Sequence, residues 1–275
     1  MPSFGISQIT TVNEPFDADV RAYARAGVDG IGVWEMKLPE GDDAGALSST
    51  REAGLTVTSC VPTVPSILPL VHMDGPGDSA ERVEAYCASL RRLAAFEPTS
   101  FVLLTGSAVG LEPDVARSAV VQGLGAIAAE ADRLGVRVGL EPLQRVGGDD
   151  WTIISSIPEA VELLAEAGTT QVGLCFDVGH LWNTPTLFDD IDRYGDRITA
   201  VHVCDCREAG GVWSDRVLPG DGAIDMPPIL AALERAGWDG AYDLEIFSDE
   251  LWQVPCEELV HRGRTAFVEI WRRRG

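Results

Sequence analysis

The sequence predicts an α/β protein built as a single-domain (β/α)8 TIM barrel spanning residues 1–275. Three observations carry that expectation. Eight short apolar or β-branched runs alternate with eight helical segments, and repeated strand–helix alternation implies parallel strands. No linker or shift in composition divides the chain. Its 275 residues suit a closed eight-stranded barrel, which typically takes about 250. An open doubly wound sheet is the alternative. The turn after the first strand reads Thr-Thr-Val-Asn-Glu, however, without the glycines of a phosphate loop.

Taken in order, the first strand is expected over 4–9, and Pro15 opens a helix that Gly27 ends. The second strand spans 30–34, followed by a helix over 40–52 with Gly54 beyond it. The third covers 55–61. Residues 62–77, rich in Pro and Gly, form a long loop before a helix over 79–96. The fourth strand, 100–104, leads to a helix that starts at Pro113 and stops at Gly135. The fifth, 136–141, ends at Glu141-Pro142, and a proline holds the residue before it extended. A polar loop over 144–156 precedes a helix ending near Gly168. The sixth strand spans 172–177 and the seventh 198–203, with a short helix over 186–194 between them. A long loop, 205–224, precedes the helix opened by Pro227 and Pro228. The eighth strand runs over 241–247 and the closing helix over 256–274.

The formal net charge of −22 repels phosphate backbones and anionic membranes, so neither a nucleic-acid nor a membrane partner is expected. The N-terminal residues lack a basic segment followed by an apolar one. No apolar run approaches the roughly 18 residues of a membrane span. A cytoplasmic protein is therefore expected. Six cysteines permit disulfides, but a chain of this length does not need them, and reduced, mostly buried thiols are the expectation. Cys204 and Cys206 form a C-x-C pair without a second pair, a weak zinc signal.

The chemistry is expected at four strand ends. Glu141, Asp177, His202 and Glu245 each close an apolar run. Side chains alternate along a strand. In the fifth strand Val138 and Leu140 oppose Gly139 and Glu141; in the sixth Leu174 and Phe176 oppose Cys175 and Asp177. In the seventh Val201 and Val203 oppose His202, and in the eighth Leu244 and Ile246 oppose Glu245. The large apolar residues thus face the helices, and the four polar ones face the barrel interior in the same phase. Gly139, Cys175 and Ala200, two positions earlier, are small enough for a crowded interior. Asp243 breaks that pattern, and an arginine near the barrel floor is its suggested partner. Three clustered carboxylates repel one another unless a cation joins them. The donor set suits one divalent metal ion. Mn2+ is preferred, Mg2+ and Co2+ are close alternatives, and Zn2+ is less favoured by so many oxygens. Barrel active sites lie at the strand C-termini, where these residues fall.

These motifs are Val-Gly-Leu-Glu141-Pro, Phe-Asp177-Val-Gly-His180, Val-His202-Val-Cys-Asp, Leu-Pro-Gly220-Asp-Gly222 and Asp-Leu-Glu245. Together they resemble the sugar phosphate isomerase/epimerase superfamily, the xylose isomerase-like TIM barrels. The resemblance implies that Glu141, Asp177, His202 and Glu245 bind the metal and that Glu141 and Glu245 are the catalytic acid/base pair. It also implies that His180 contacts a substrate oxygen, and that an arginine after the metal histidine, Arg207 or Arg216, binds substrate. The implied function is isomerisation or epimerisation of a keto sugar or polyol ketone. The runner-up is a lyase of the same superfamily, acting like inosose or dehydroshikimate dehydratase or as a 3-oxo-C-glycoside-cleaving subunit. An endonuclease of this barrel type needs many histidines and a basic surface, which four histidines and −22 oppose. A homo-oligomer or a small partner subunit is compatible with the resemblance.

Chemistry alone supports the same reading. A metal chelated by a carbonyl and its adjacent hydroxyl acidifies the C–H between them. A glutamate can remove that proton, leaving an enediolate held by the metal. Returning the proton to the other face epimerises, moving it isomerises, and losing a β-leaving group eliminates. Other substrate-side candidates are His72, in the loop after the third strand, and Glu35, after the second. Trp34, Trp182, Trp213 and Trp252 follow strands and can stack on a sugar face; Gln144 and Arg145 are near enough to Glu141 to line a pocket. The Lys-poor loops favour a substrate without phosphate.

Overall fold

The computed structural model describes residues 1–71, 73–144, 151–207 and 215–274. Eight strands form the barrel wall: β1 (Phe4–Ser7), β2 (Gly30–Trp34), β3 (Thr56–Val61), β4 (Ser100–Leu103), β5 (Val138–Leu140), β6 (Val172–Asp177), β7 (Ile198–Val203) and β10 (Tyr242–Leu244). They close in the order β1-β10-β7-β6-β5-β4-β3-β2. Every neighbouring pair is parallel. Around them run α1 (Phe16–Ala26), α2 (Asp43–Glu52), α3 (Ser79–Leu93), α4 (Pro113–Leu134), α5 (Ile157–Glu166), α7 (Leu187–Tyr194), α8 (Met226–Arg235) and α9 (Cys256–Arg272). The predicted barrel is the one that forms, and α1 and α4 end on left-handed Gly27 and Gly135 as expected.

Besides several short 3-10 turns, two elements next to the site escape sequence reading among the described residues. A single-turn helix, α6 (Val178–Leu181), starts directly after β6, with the Asp177 carboxylate capping Gly179 N–H at 2.6 Å. A two-residue hairpin, β8 (Asp205–Cys206) with β9 (Arg216–Val217), sits inside the predicted loop after β7. Its base is held by Asp205, which accepts from the backbone N–H of Cys206, Gly220 and Ile224. Helix α2 begins at Asp43 rather than residue 40 because Asp42 caps it from outside, accepting from Gly45 N–H.

The strands are buried on both sides, which is why they read as near-continuous apolar runs. Leu140, Phe176, Val203 and Leu244 pack outward into the large layer shared with the helices. Val102, Cys175 and Ala200 belong to a separate cluster inside the barrel, with Ile9, Trp34, Val61 and Leu104 toward its mouth. The interior is tight. A Cβ on Gly139 would lie 2.7 Å from Thr199 Oγ1 and 2.9 Å from Cys175 N.

Asp243 also faces inward, but among the described residues no arginine meets it. It accepts a hydrogen bond from Ser59 Oγ at 3.0 Å. Its room comes from Gly5, where a Cβ would overlap Asp243 Oδ1 at 1.9 Å. A serine on the facing strand reaches the carboxylate where a long arginine would have no space.

Candidate metal centre

Four neighbouring strands, in the order β5, β6, β7, β10, present their C-terminal ends to one another. Glu141 follows β5 directly, its N–H bonded to Leu103 O so that the strand geometry continues to it. Asp177 closes β6 and pairs in register with His202 on β7. Glu245 follows β10, its N–H donating to Val203 O. The inward phase read from the sequence therefore brings Glu141, Asp177, His202 and Glu245 together. One donor atom from each lies within 4.8 Å of the others, and all four residues are buried.

Arg216 completes the cluster from β9. Its Nη1 lies 2.9 Å from Asp177 Oδ2 and 3.5 Å from Glu245 Oε2, and it donates to Glu245 O at 3.2 Å. Nη2 donates to His180 Nε2 at 2.7 Å. The guanidinium also lies over the Phe247 ring, 5.5 Å from its centroid. His202 Nδ1 is 3.2 Å from Glu245 Oε2. Ser7 Oγ donates to Glu245 Oε1 at 3.1 Å and in turn accepts from Trp34 Nε1 at 2.8 Å.

These contacts split the carboxylates. Burial drives the Glu141 pKa from its ordinary 4.5 up to about 8; the Glu245 and Asp177 charges add to the rise, while His202 opposes it. Burial alone would raise Asp177 too, but Arg216, His180 and His202 hold it below its usual value. Glu245 is likewise held down against burial, by the charge and hydrogen bond of His202. Burial, with Arg216 close by, lowers His180 to about 4, so its imidazole is neutral and can accept from the guanidinium.

The residues fit a divalent cation. Three buried carboxylates face one arginine, and their oxygens are harder donors than zinc or copper sites usually gather. Among the described residues, Asp177 Oδ2 is in ion-pair range of Arg216 but has no aligned hydrogen bond, and His202 Nε2 is buried with no hydrogen-bond partner. Such buried polar atoms cost free energy unless a partner binds them.

The other site candidates separate clearly. His180 and Arg216 sit at the cluster. Arg207 does not: it is exposed on the hairpin and pairs with Asp215 and Glu250. Trp182 packs against the outer apolar layer. Glu35 is buried, but its carboxylate accepts from Thr63 N–H at 2.8 Å, Ser89 Oγ at 2.6 Å and Arg92 Nη1 at 3.1 Å, tying β2 to α3. Trp34, Phe247 and Trp252 form an edge-to-face series with centroids 5.9 and 6.2 Å apart at the inner cluster. His72, Arg145 and Trp213 lie outside the described residues. Ser7 is a contact that sequence reading missed. Its one signal was an inward-facing hydroxyl at the end of the first strand.

The geometry defines a parallel (β/α)8 barrel with an acid–imidazole ring at its C-terminal mouth. Residues 20–267 match the family model described as xylose isomerase-like TIM barrel, and the chain belongs to that family. An inosose isomerase from Halalkalibacterium halodurans is 27% identical over 164 residues, 58% of this chain and 56% of that protein. The chain thus matches little more than half the length of that relative. A protein of Sinorhizobium meliloti, known from its crystal structure, is 26% identical with TM-score 0.88 over 98% of both chains. The IOLI protein, solved with a binding zinc atom, shares the fold at TM-score 0.82 and 18% identity over 98% of both chains. Among the described residues no helix is long and apolar enough to cross a membrane.

Proposed function

We propose that this chain is a divalent-metal-dependent isomerase or epimerase acting on a keto sugar or polyol ketone through an enediolate. The observation that carries the reading is the single ring of Glu141, Asp177, His202 and Glu245 on four consecutive barrel strands. Those four residues would hold the ion. Mn2+ is the preferred occupant of so oxygen-rich a set, with Mg2+, Co2+ or Zn2+ as alternatives; the zinc of the IOLI protein supports a divalent ion of some kind.

When bound, the ion polarises a carbonyl and neighbouring hydroxyl and so acidifies the carbon-bound proton between them. The chain's own groups do the rest. Glu141 and Glu245 stand at the two ends of the four-strand arc and so reach a substrate from two sides. One takes the proton from carbon and the other returns a proton to the opposite face. Arg216 supplies fixed positive charge beside the developing enediolate oxygens. Neutral His180, oriented by Arg216, contacts a substrate oxygen.

The test is solvent exchange. Mn2+-loaded protein is incubated with a panel of keto sugars and inososes in D2O. The expected result is metal-dependent deuterium incorporation at carbon next to the carbonyl, abolished in Glu141→Gln and Glu245→Gln. Bound metal with no exchange from any keto sugar would contradict the reading. The product tells where the proton returns, and loss of water or of an aglycone would redirect the assignment to elimination.

A further inference from the structure

Cys175 lies one inward position below Asp177 on β6, at the floor of the cluster. Its Sγ is 3.8 Å from His202 Nδ1, the nitrogen that also stands 3.2 Å from Glu245 Oε2. Zinc takes sulfur at about 2.3 Å and imidazole nitrogen at about 2.0–2.1 Å, so two such ligands in a tetrahedral site sit about 3.6 Å apart. The observed sulfur–nitrogen spacing is already close to that. Donor atoms of Glu141, Cys175 and His202 form a second group within 4.8 Å of one another, sharing two members with the oxygen-rich ring. Both shared residues and the cysteine are buried.

We propose that Cys175 makes this a centre with two overlapping donor sets, in which a soft or borderline ion such as Zn2+ or Co2+ binds Glu141, Cys175 and His202 while hard Mn2+ or Mg2+ binds the upper ring. The proposal rests on the metal-centre reading above and adds a ligand to it. Thiolate sulfur favours zinc and cobalt over manganese and magnesium, whereas carboxylate oxygen favours the reverse. The two sets therefore sort ions by softness within one cage. Sulfur binding is balanced simply: the metal–sulfur bond forms, the S–H bond breaks, and the proton leaves to solvent. The competing account is that Cys175 only fills space beside Ala200 and Val102 in the inner cluster. That account predicts no effect of the sulfur on metal choice.

Two measurements on the full chain separate these accounts. Cobalt added to metal-free protein is expected to give a near-ultraviolet sulfur-to-cobalt charge-transfer band, absent in Cys175→Ser. Zinc and manganese affinities are then compared by competition with a chelator. Cys175→Ser is expected to weaken zinc about tenfold or more and to change manganese less than about twofold. Cys175→Ala provides the same comparison if the hydroxyl disturbs packing, and the wild-type cobalt spectrum needs no variant. Cobalt binding without a sulfur band, or equal losses for both ions, would overturn the proposal. Manganese binding together with cobalt binding that shows no sulfur band removes only the role of Cys175, whereas failure of every ion to bind removes the metal centre with it.

Discussion

The two halves of the barrel mouth share one strand–helix rhythm and differ in what their strand ends carry. On the side of β5, β6, β7 and β10, the ends are Glu141, Asp177, His202 and Glu245, converging within 4.8 Å. On the side of β2, β3 and β4, the ends lead into Trp34, Val61 and Leu104 of the inner apolar cluster. Polar groups on that side are spent on structure. Gln8 serves Asp19 and Trp34 N–H, and Glu35 serves Ser89, Thr63 and Arg92. The Trp34–Ser7–Glu245 hydrogen-bond series, through β1, bridges the halves at the mouth. A buried carboxylate is therefore not in itself a sign of chemistry. Glu35 and Glu245 are about equally buried, and both carboxylates have partners; what separates them is that Glu245 lies within 4.8 Å of donor atoms from Glu141, Asp177 and His202.

The largest expected effects lie in the acidic half. Glu141→Gln and Glu245→Gln should each slow deuterium exchange by about 10²–10⁴-fold, the usual span for a lost general acid or base. Exchange measured at confirmed metal content checks this, and near-wild-type exchange in both variants would break the comparison. Next comes Arg216→Met. Removing one partner of a buried ion pair costs about 3–5 kcal/mol, so thermal stability without metal should fall sharply. Added Mn2+ should recover much of the loss, because a cation again faces Asp177 and Glu245. Thermal melts with and without metal read both effects.

A third prediction follows from Glu141. Its pKa rises on folding from 4.5 to about 8, so the stability it lends the metal-free protein is fully present below 4.5 and is lost as pH rises toward 8. An ion binds the carboxylate form and displaces the proton. Metal should therefore raise the melting temperature more at about pH 9 than at about pH 6, and binding near neutral pH should release about two protons per ion, one from Glu141 and one from His202, whose pKa, against the effect of burial, Cys175 and Glu245 raise. Calorimetry in buffers of different ionisation enthalpy measures that release.

The smallest effects are expected from residues outside the ring. Glu35→Gln should leave exchange rates intact and cost about 1–3 kcal/mol of stability, as hydrogen bonds to a buried charge are lost. Arg207→Ala, which removes exposed pairs with Asp215 and Glu250, should cost less than about 1 kcal/mol and leave exchange within twofold. A large loss of exchange in either variant would move the working boundary across the mouth.

The barrel and the cluster of four polar side chains at its mouth were legible because two simple periodicities agree. The alternation of strand and helix sets the topology, and the two-residue period within a strand sets which side chains face inward. Glu141, Asp177, His202 and Glu245 needed nothing more. Placing Arg216 rather than Arg207 at the cluster required the hairpin, and two-residue strands leave no periodic trace. Glu35 looked free because Ser89 and Arg92 lie on a helix far along the chain. Asp243 was assigned the wrong kind of partner, since Ser59 reaches one of its oxygens from across the barrel, where a long arginine would have no space. Cys175 read as a small filler, because only the spacing to His202 and Glu141 brings out its sulfur.

The most direct test of the account is anomalous diffraction from crystals of the full chain soaked in Mn2+. The account predicts one manganese peak per chain, lying among Glu141, Asp177, His202 and Glu245 and absent in Asp177→Asn. A peak elsewhere on the molecule, or no peak under soaking conditions that saturate the protein in solution, would contradict it.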